Sequence, residues 1–175
     1  GFGTEEIGLT GAFRYVDAHE DELNNVRFML NLDAAGGSSR KGVVLHRWPE
    51  LEPFFRQAGQ DMVADVPIGQ KVHSYSDHFS FILKGAPTGH MGDPEATPAG
   101  RGFGHTAYDT LDKVELENLW KASAVAARLA LWIANTEDFP AQRHSAEAVQ
   151  EIIDTDPGLE EYRISRELAK RRQTS

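Results

Sequence analysis

Val26-Arg27-Phe28-Met29-Leu30-Asn31-Leu32-Asp33 is the stretch on which the fold turns: it reads as a buried strand that ends at an acidic residue. In open α/β sheets the functional side chains gather at the carboxyl edge of the strands, which makes Asp33 a candidate ligand. Taken alone, Asp33 is also an ordinary turn former ahead of Gly36-Gly37. Outward from this strand, Gly42-Val43-Val44-Leu45-His46 reads as a second strand, and residues 49–62 as an amphipathic helix with Pro49 in its first turn. Residues 71–91 read as a strand, a short helix capped by Asp77 and another strand. Upstream, residues 9–19 suit a short helix that starts at Thr10 and sets Leu9, Phe13 and Val16 on one face.

The chemistry is densest at Gly3-Thr4-Glu5-Glu6-Ile7-Gly8-Leu9-Thr10-Gly11. Adjacent carboxylates before a glycine-punctuated turn suit a site where one Glu grips a metal and its neighbour moves protons, because a general base cannot also be consumed as a ligand. The pair alone equally fits a solvated acidic opening to a helix, favoured by the helix dipole. His105 opens His105-Thr106-Ala107-Tyr108-Asp109-Thr110, after a stretch rich in glycine and proline that reads as a loop. Carboxylate and imidazole together are the ligand set of a hydrolytic zinc site. Asp109, four residues on, is a candidate acceptor for the imidazole or a cap for the turn toward Leu111. Ser76-Asp77-His78 are sequence neighbours and no G-x-S-x-G elbow occurs, so a serine triad is not supported.

Phe2-Gly3-Thr4-Glu5-Glu6-Ile7-Gly8-Leu9-Thr10-Gly11, Asn31-Leu32-Asp33, Ser76-Asp77-His78 and His105-Thr106-Ala107-Tyr108-Asp109-Thr110-Leu111 occur in this order. The set resembles the co-catalytic dinuclear zinc aminopeptidases of the bacterial leucyl aminopeptidase and aminopeptidase Y type. That family also includes glutaminyl cyclases, glutamate carboxypeptidases and the transferrin-receptor ectodomain. The resemblance implies an α/β fold, a mixed and mostly parallel sheet with helices on both faces, and an exopeptidase that releases N-terminal residues from a peptide substrate. It implies Glu5 as general base and Glu6, Asp33 and His105 as zinc ligands, with two zinc ions in a complete domain. The family draws a further His ligand and a metal-bridging Asp from upstream of the Glu-Glu pair. The chain is therefore expected to be the C-terminal part of a longer catalytic domain, an inactive fragment by itself. A complementing N-terminal segment or a second copy are the partners this leaves open. Within the family, a cyclase, a carboxypeptidase using Arg101 on a substrate carboxylate, and a receptor-like relative are the rival readings. Tyr75 is left without a role, since relatives differ in where such a tyrosine arises.

Composition bounds these readings. A formal charge of -9 excludes a general nucleic-acid binder, which needs clustered Lys and Arg. Without cysteine there is no thiolate zinc site, so Asp, Glu and His are the ligands on offer. No apolar run approaches a membrane span, and the compartment is left undetermined. Residues 115–135 read as a long alanine-rich helix whose Leu116, Leu119, Trp120, Val125, Leu129, Trp132 and Ile133 pack on the sheet. Residues 1–140 are expected to form the catalytic part and 141–175 a helical extension, with helices over 141–154 and 157–173 and a basic end at Lys170-Arg171-Arg172.

Overall fold

Among the described residues, four short strands make one sheet: β1 (Met29–Asn31), β2 (Gly42–Leu45), β3 (Ile68–Gln70) and β4 (Thr88–Gly92), in the order β1-β4-β2-β3. β1 runs parallel to β4 and β2 parallel to β3, whereas β2 and β4 are antiparallel, so the sheet is mixed with two of its three pairings parallel. The computed structural model describes residues 1–33, 35–37, 41–62, 64–96 and 102–173. Among the described residues, six α-helices accompany the sheet: α1 (Thr10–Ala18), α2 (Leu51–Asp61), α3 (His78–Leu83), α4 (Leu116–Asn135), α5 (Ala146–Thr155) and α6 (Glu160–Gln173). No helix among the described residues is long and apolar enough to cross a membrane.

Strand alternation sorts the two faces. Val43 and Leu45 of β2 pack with Leu51, Phe55 and Ala58 of α2 and Leu129 and Ile133 of α4, while Met91 of β4 meets Ala122 and Ala126 of α4. The opposite face is covered by α1 and α3: Val16, Leu23, Phe81 and Ala86 form a core there with Met29. That second face also receives Asn31, Thr88 and His90, and His46 just beyond β2, through the same alternation. The sheet is thus apolar toward α2 and α4 and partly polar toward α3, an asymmetry that positions the functional side chains.

Several local expectations are corrected. The extended segment of 26–32 contracts to β1, because Val26 already closes the preceding 3₁₀ turn through Leu23 O. The strand expected within 71–91 lies earlier, at β3, and 71–77 is irregular. α1 does start at Thr10 as expected, with Leu9 at its cap position, whereas Asp77 caps α3 by position only, with no side-chain hydrogen bond. Residues 141–145 stay outside α5, which starts where Ser145 Oγ accepts from Ala148 N–H.

In α4 the buried seam is Ala122, Ala126, Leu129 and Ile133, spaced by four, three and four residues. Leu116 and Trp120 lie off that seam, and Trp120 is 73% exposed. With Leu131 they form an apolar stripe on the solvent side of the helix. On the other face α5 packs Val149, Ile152 and Ile153 against Val72, Phe79 and Ile82. Gly85 admits this close approach: it is left-handed at φ 74°, a Cβ there would lie 2.4 Å from His144 O, and its own carbonyl accepts from His144 N–H at 2.8 Å.

Candidate active site

Glu5 and Glu6 open a three-residue 3₁₀ turn, Glu5–Ile7. Thr4 at φ 62° precedes it, and Gly8 at φ 102° ends it by donating its N–H to Glu5 O. Leu9 follows at φ 56°. Left-handed residues with a branched side chain are strained and persist where their surroundings hold them, often beside functional groups. The hold here is Gly11 N–H on Gly3 O at 3.1 Å, which ties the turn to the start of α1. Glu5 ends half-buried and Glu6 exposed, so the adjacent carboxylates occupy different environments.

His105, also left-handed at φ 63°, brings its Nε2 to 3.8 Å from Glu6 Oε1. Asp33 lies two residues past β1, and Ser76 Oγ donates to its Oδ2 at 2.9 Å. Ser76 in turn accepts from Asn31 Nδ2 at 2.8 Å. Burial pushes the Glu5 carboxyl up, Asp33, Glu6 and Asp77 push it further, and His105 opposes them. Asp77 is raised as well, by burial and then by Asp33. Its Oδ1 is buried without a hydrogen-bond partner among the described residues. Four carboxylates therefore share one field that also includes His105, and one carboxylate oxygen is orphaned. That donor set fits a divalent cation, which would relieve the mutual repulsion and take up lone pairs that no N–H satisfies.

Beyond Ser76 the polar network runs into four histidines. Asn31 Nδ2 lies 3.3 Å from His78 Nδ1, and His78 Nε2 lies 3.2 Å from His73 O. A carbonyl can only accept, so His78 carries its proton on Nε2. His46 Nδ1 meets Thr88 Oγ1 at 2.9 Å, and His46 Nε2 meets His90 Nδ1 at 2.9 Å. Burial lowers all four imidazoles: His73 to about 4, His90 to about 3, His78 to about 2, and His46 well below its usual value. Of these, the motifs of the sequence include only His78, in Ser76-Asp77-His78. The available signals were a His at the end of one strand, another inside a glycine-flanked strand, and a pair five apart around Ser76-Asp77.

The residues expected at the site thus come into one neighbourhood, with Glu6 and His105 the pair in contact. Asp109 is exposed and its carboxylate makes no hydrogen bond to His105 among the described residues, nor does it cap, since Thr110 precedes the turn Leu111–Lys113. Tyr75 directs its hydroxyl to Glu161 Oε2 at 2.7 Å, on α6. Arg101 lies outside the described residues.

The sequence profile of Peptidase family M28 matches residues 1–130. The chain belongs to peptidase family M28. Among curated relatives, aminopeptidase YwaD of Bacillus subtilis (strain 168) is 29% identical over 134 residues, which cover 69% of this chain and 28% of YwaD. Among solved structures, the aminopeptidase from Aneurinibacillus sp. strain AM-1 superposes with a TM-score of 0.56 at 26% identity, covering 82% of this M28 chain and 34% of that one. BSAP, a zinc aminopeptidase from Bacillus subtilis, gives 0.58 at 25% identity, covering 81% and 36%. The Peptidase M28 precursor from Shewanella amazonensis SB2B, at 23% identity, TM-score 0.66 and coverage of 82% and 32%, shares the fold. The M28 chain thus spans about a third or less of the length of these relatives.

Proposed function

We propose that the protein containing this chain is a zinc-dependent aminopeptidase that hydrolyses N-terminal residues from peptides, with Glu5 as general base and Glu6, Asp33 and His105 among its metal ligands. The observation that carries this reading is the carboxylate cluster of Glu5, Glu6, Asp33 and Asp77 beside His105 in a chain of family M28. Zinc, when bound, supplies Lewis-acid polarisation of the scissile carbonyl. The protein groups do the rest. Ser76 fixes Asp33 by its 2.9 Å hydrogen bond, so that one carboxylate oxygen is oriented and the other is free to ligate. His105 and Glu6 offer an imidazole and a carboxylate from opposite sides of a 3.8 Å gap. Glu5, half-buried with its carboxyl pushed upward, takes the proton of the attacking water and returns it to the leaving amine. Ligands from the upstream part of the domain would complete a two-zinc centre, so the 175-residue chain alone holds zinc weakly at these residues.

The test is Glu5→Gln in the full-length protein. It should keep its zinc, measured by elemental analysis, while hydrolysis of an aminoacyl chromogenic substrate falls by about 10²–10⁴-fold. An unchanged rate would remove Glu5 as the base.

A further inference from the structure

We propose that His46, His73, His78 and His90 form a metal site of their own, separate from Glu6, Asp33 and His105, which takes a zinc-like divalent ion and clamps the sheet to the start of α3. The four rings come from four segments: the end of β2, the stretch after β3, the first residue of α3 and the middle of β4. One ring nitrogen of each lies within 4.8 Å of the others. Among the described residues, this is the group whose candidate ligand atoms converge; the carboxylate site is a looser set. Tetrahedral zinc with Zn–N bonds of about 2.0–2.1 Å places its ligand atoms roughly 3.4 Å apart. His46 Nε2 and His90 Nδ1, at 2.9 Å, need to open slightly, and because His46 and His78 stack face to face at 4.1 Å, one of those two rings must also turn before both in-plane lone pairs meet one ion.

The outer contacts are those of oriented ligands. Thr88 Oγ1 on His46 Nδ1 and the His73 carbonyl on His78 Nε2 leave His46 Nε2 and His78 Nδ1 as the lone-pair nitrogens; an ion on His78 Nδ1 replaces its 3.3 Å contact with Asn31 Nδ2, which keeps its bond to Ser76 Oγ. Moving the His90 proton to Nε2 frees its Nδ1 lone pair, and an ion then replaces the His46–His90 hydrogen bond. Among the described residues, no carboxylate is hydrogen-bonded to any of the four rings. Four imidazoles, two of them fully enclosed, are a costly way to fill a space that apolar side chains would fill as well. An all-imidazole shell suits Zn²⁺, Co²⁺, Ni²⁺ or Cu²⁺ rather than Mg²⁺ or Ca²⁺. This inference does not rest on the peptidase reading.

The experiment uses the 175-residue chain, stripped with chelator and dialysed against Zn²⁺, with Co²⁺ as an optical probe. The triple variant Glu6→Gln, Asp33→Asn, His105→Gln removes the other ligand set, and is expected to retain about one Zn²⁺ per chain and the intense visible absorption of tetrahedral Co²⁺. His73→Gln and His90→Gln, chosen because their rings are only half-buried, should each weaken that binding at least tenfold while circular dichroism shows a folded chain. Loss of all binding in the triple variant, or binding unchanged in both His variants, overturns the proposal. If both His variants fail to fold, the Co²⁺ spectrum of the triple variant decides alone: tetrahedral absorption supports the site, and a weak octahedral spectrum overturns it.

Discussion

Ser76 is the residue through which the two clusters meet. It donates to Asp33 and accepts from Asn31, which in turn donates toward His78. Outer hydrogen bonds of this kind hold a ligand in the orientation that binding requires, and their loss typically costs about 10–100-fold in metal affinity or activity. Ser76→Ala in the full-length protein is therefore expected to weaken zinc binding by about that factor, measured by competition with a chromogenic chelator; an affinity equal to wild type would deny Ser76 this role. The sequence marks Glu5, Glu6, Asp33 and His105 as candidates through the order of their motifs, since each fragment alone has an ordinary structural reading. It hides Ser76 and the histidines. A serine hydroxyl carries no signal until its acceptor is known, and His46, His73, His78 and His90 lie on segments that only the β1-β4-β2-β3 order brings together.

At the scale of elements, α4 shows what periodicity reveals and what it conceals. Its bounds follow from alanine content and length, and Leu116–Asn135 closely matches the expectation of 115–135. Its orientation does not, because apolar residues occur on more than one side and only the sheet selects the face. The small residues Ala122 and Ala126 let the helix come close to Met91, while Leu129 and Ile133 fill the space beside β2 and α2. Leu129→Ala should therefore cost about 2–5 kcal/mol in urea unfolding. Trp120→Ala, on the exposed stripe, should change stability by about 0.5 kcal/mol or less. Equal losses at the two positions would contradict this packing. Short strands were misplaced for a related reason: three residues of β1 or β3 carry too little alternation to separate a strand from extended loop.

For the whole molecule, the buried histidines set a dependence on acidity. Unfolded imidazoles titrate near about 6.5, whereas the folded values lie at about 4 for His73, about 3 for His90, about 2 for His78 and lower than normal for His46. Below about pH 6.5 the unfolded chain binds protons that the folded chain refuses, so stability is full above that pH and is lost as pH falls toward 4 and beyond. Each of the two fully enclosed rings, His46 and His78, adds at most about 1.4 kcal/mol per pH unit to that loss. Glu5 and Asp77, with raised values, act in the opposite sense: their contribution is full below the unfolded carboxyl range of about 4 and fades as pH rises through the folded values. The chelator-treated chain should therefore show a melting temperature that declines steadily from pH 7 to pH 5, and a flat profile would show that the rings are not buried as described. The exposed stripe of α4 has a different consequence, an optical one. Trp48 is enclosed and stacks on His144 at 4.2 Å, whereas Trp120 faces water. Iodide in solution therefore reaches Trp120 but not Trp48, and any polypeptide that settles on that side of the helix will announce itself as a blue shift and a loss of iodide quenching.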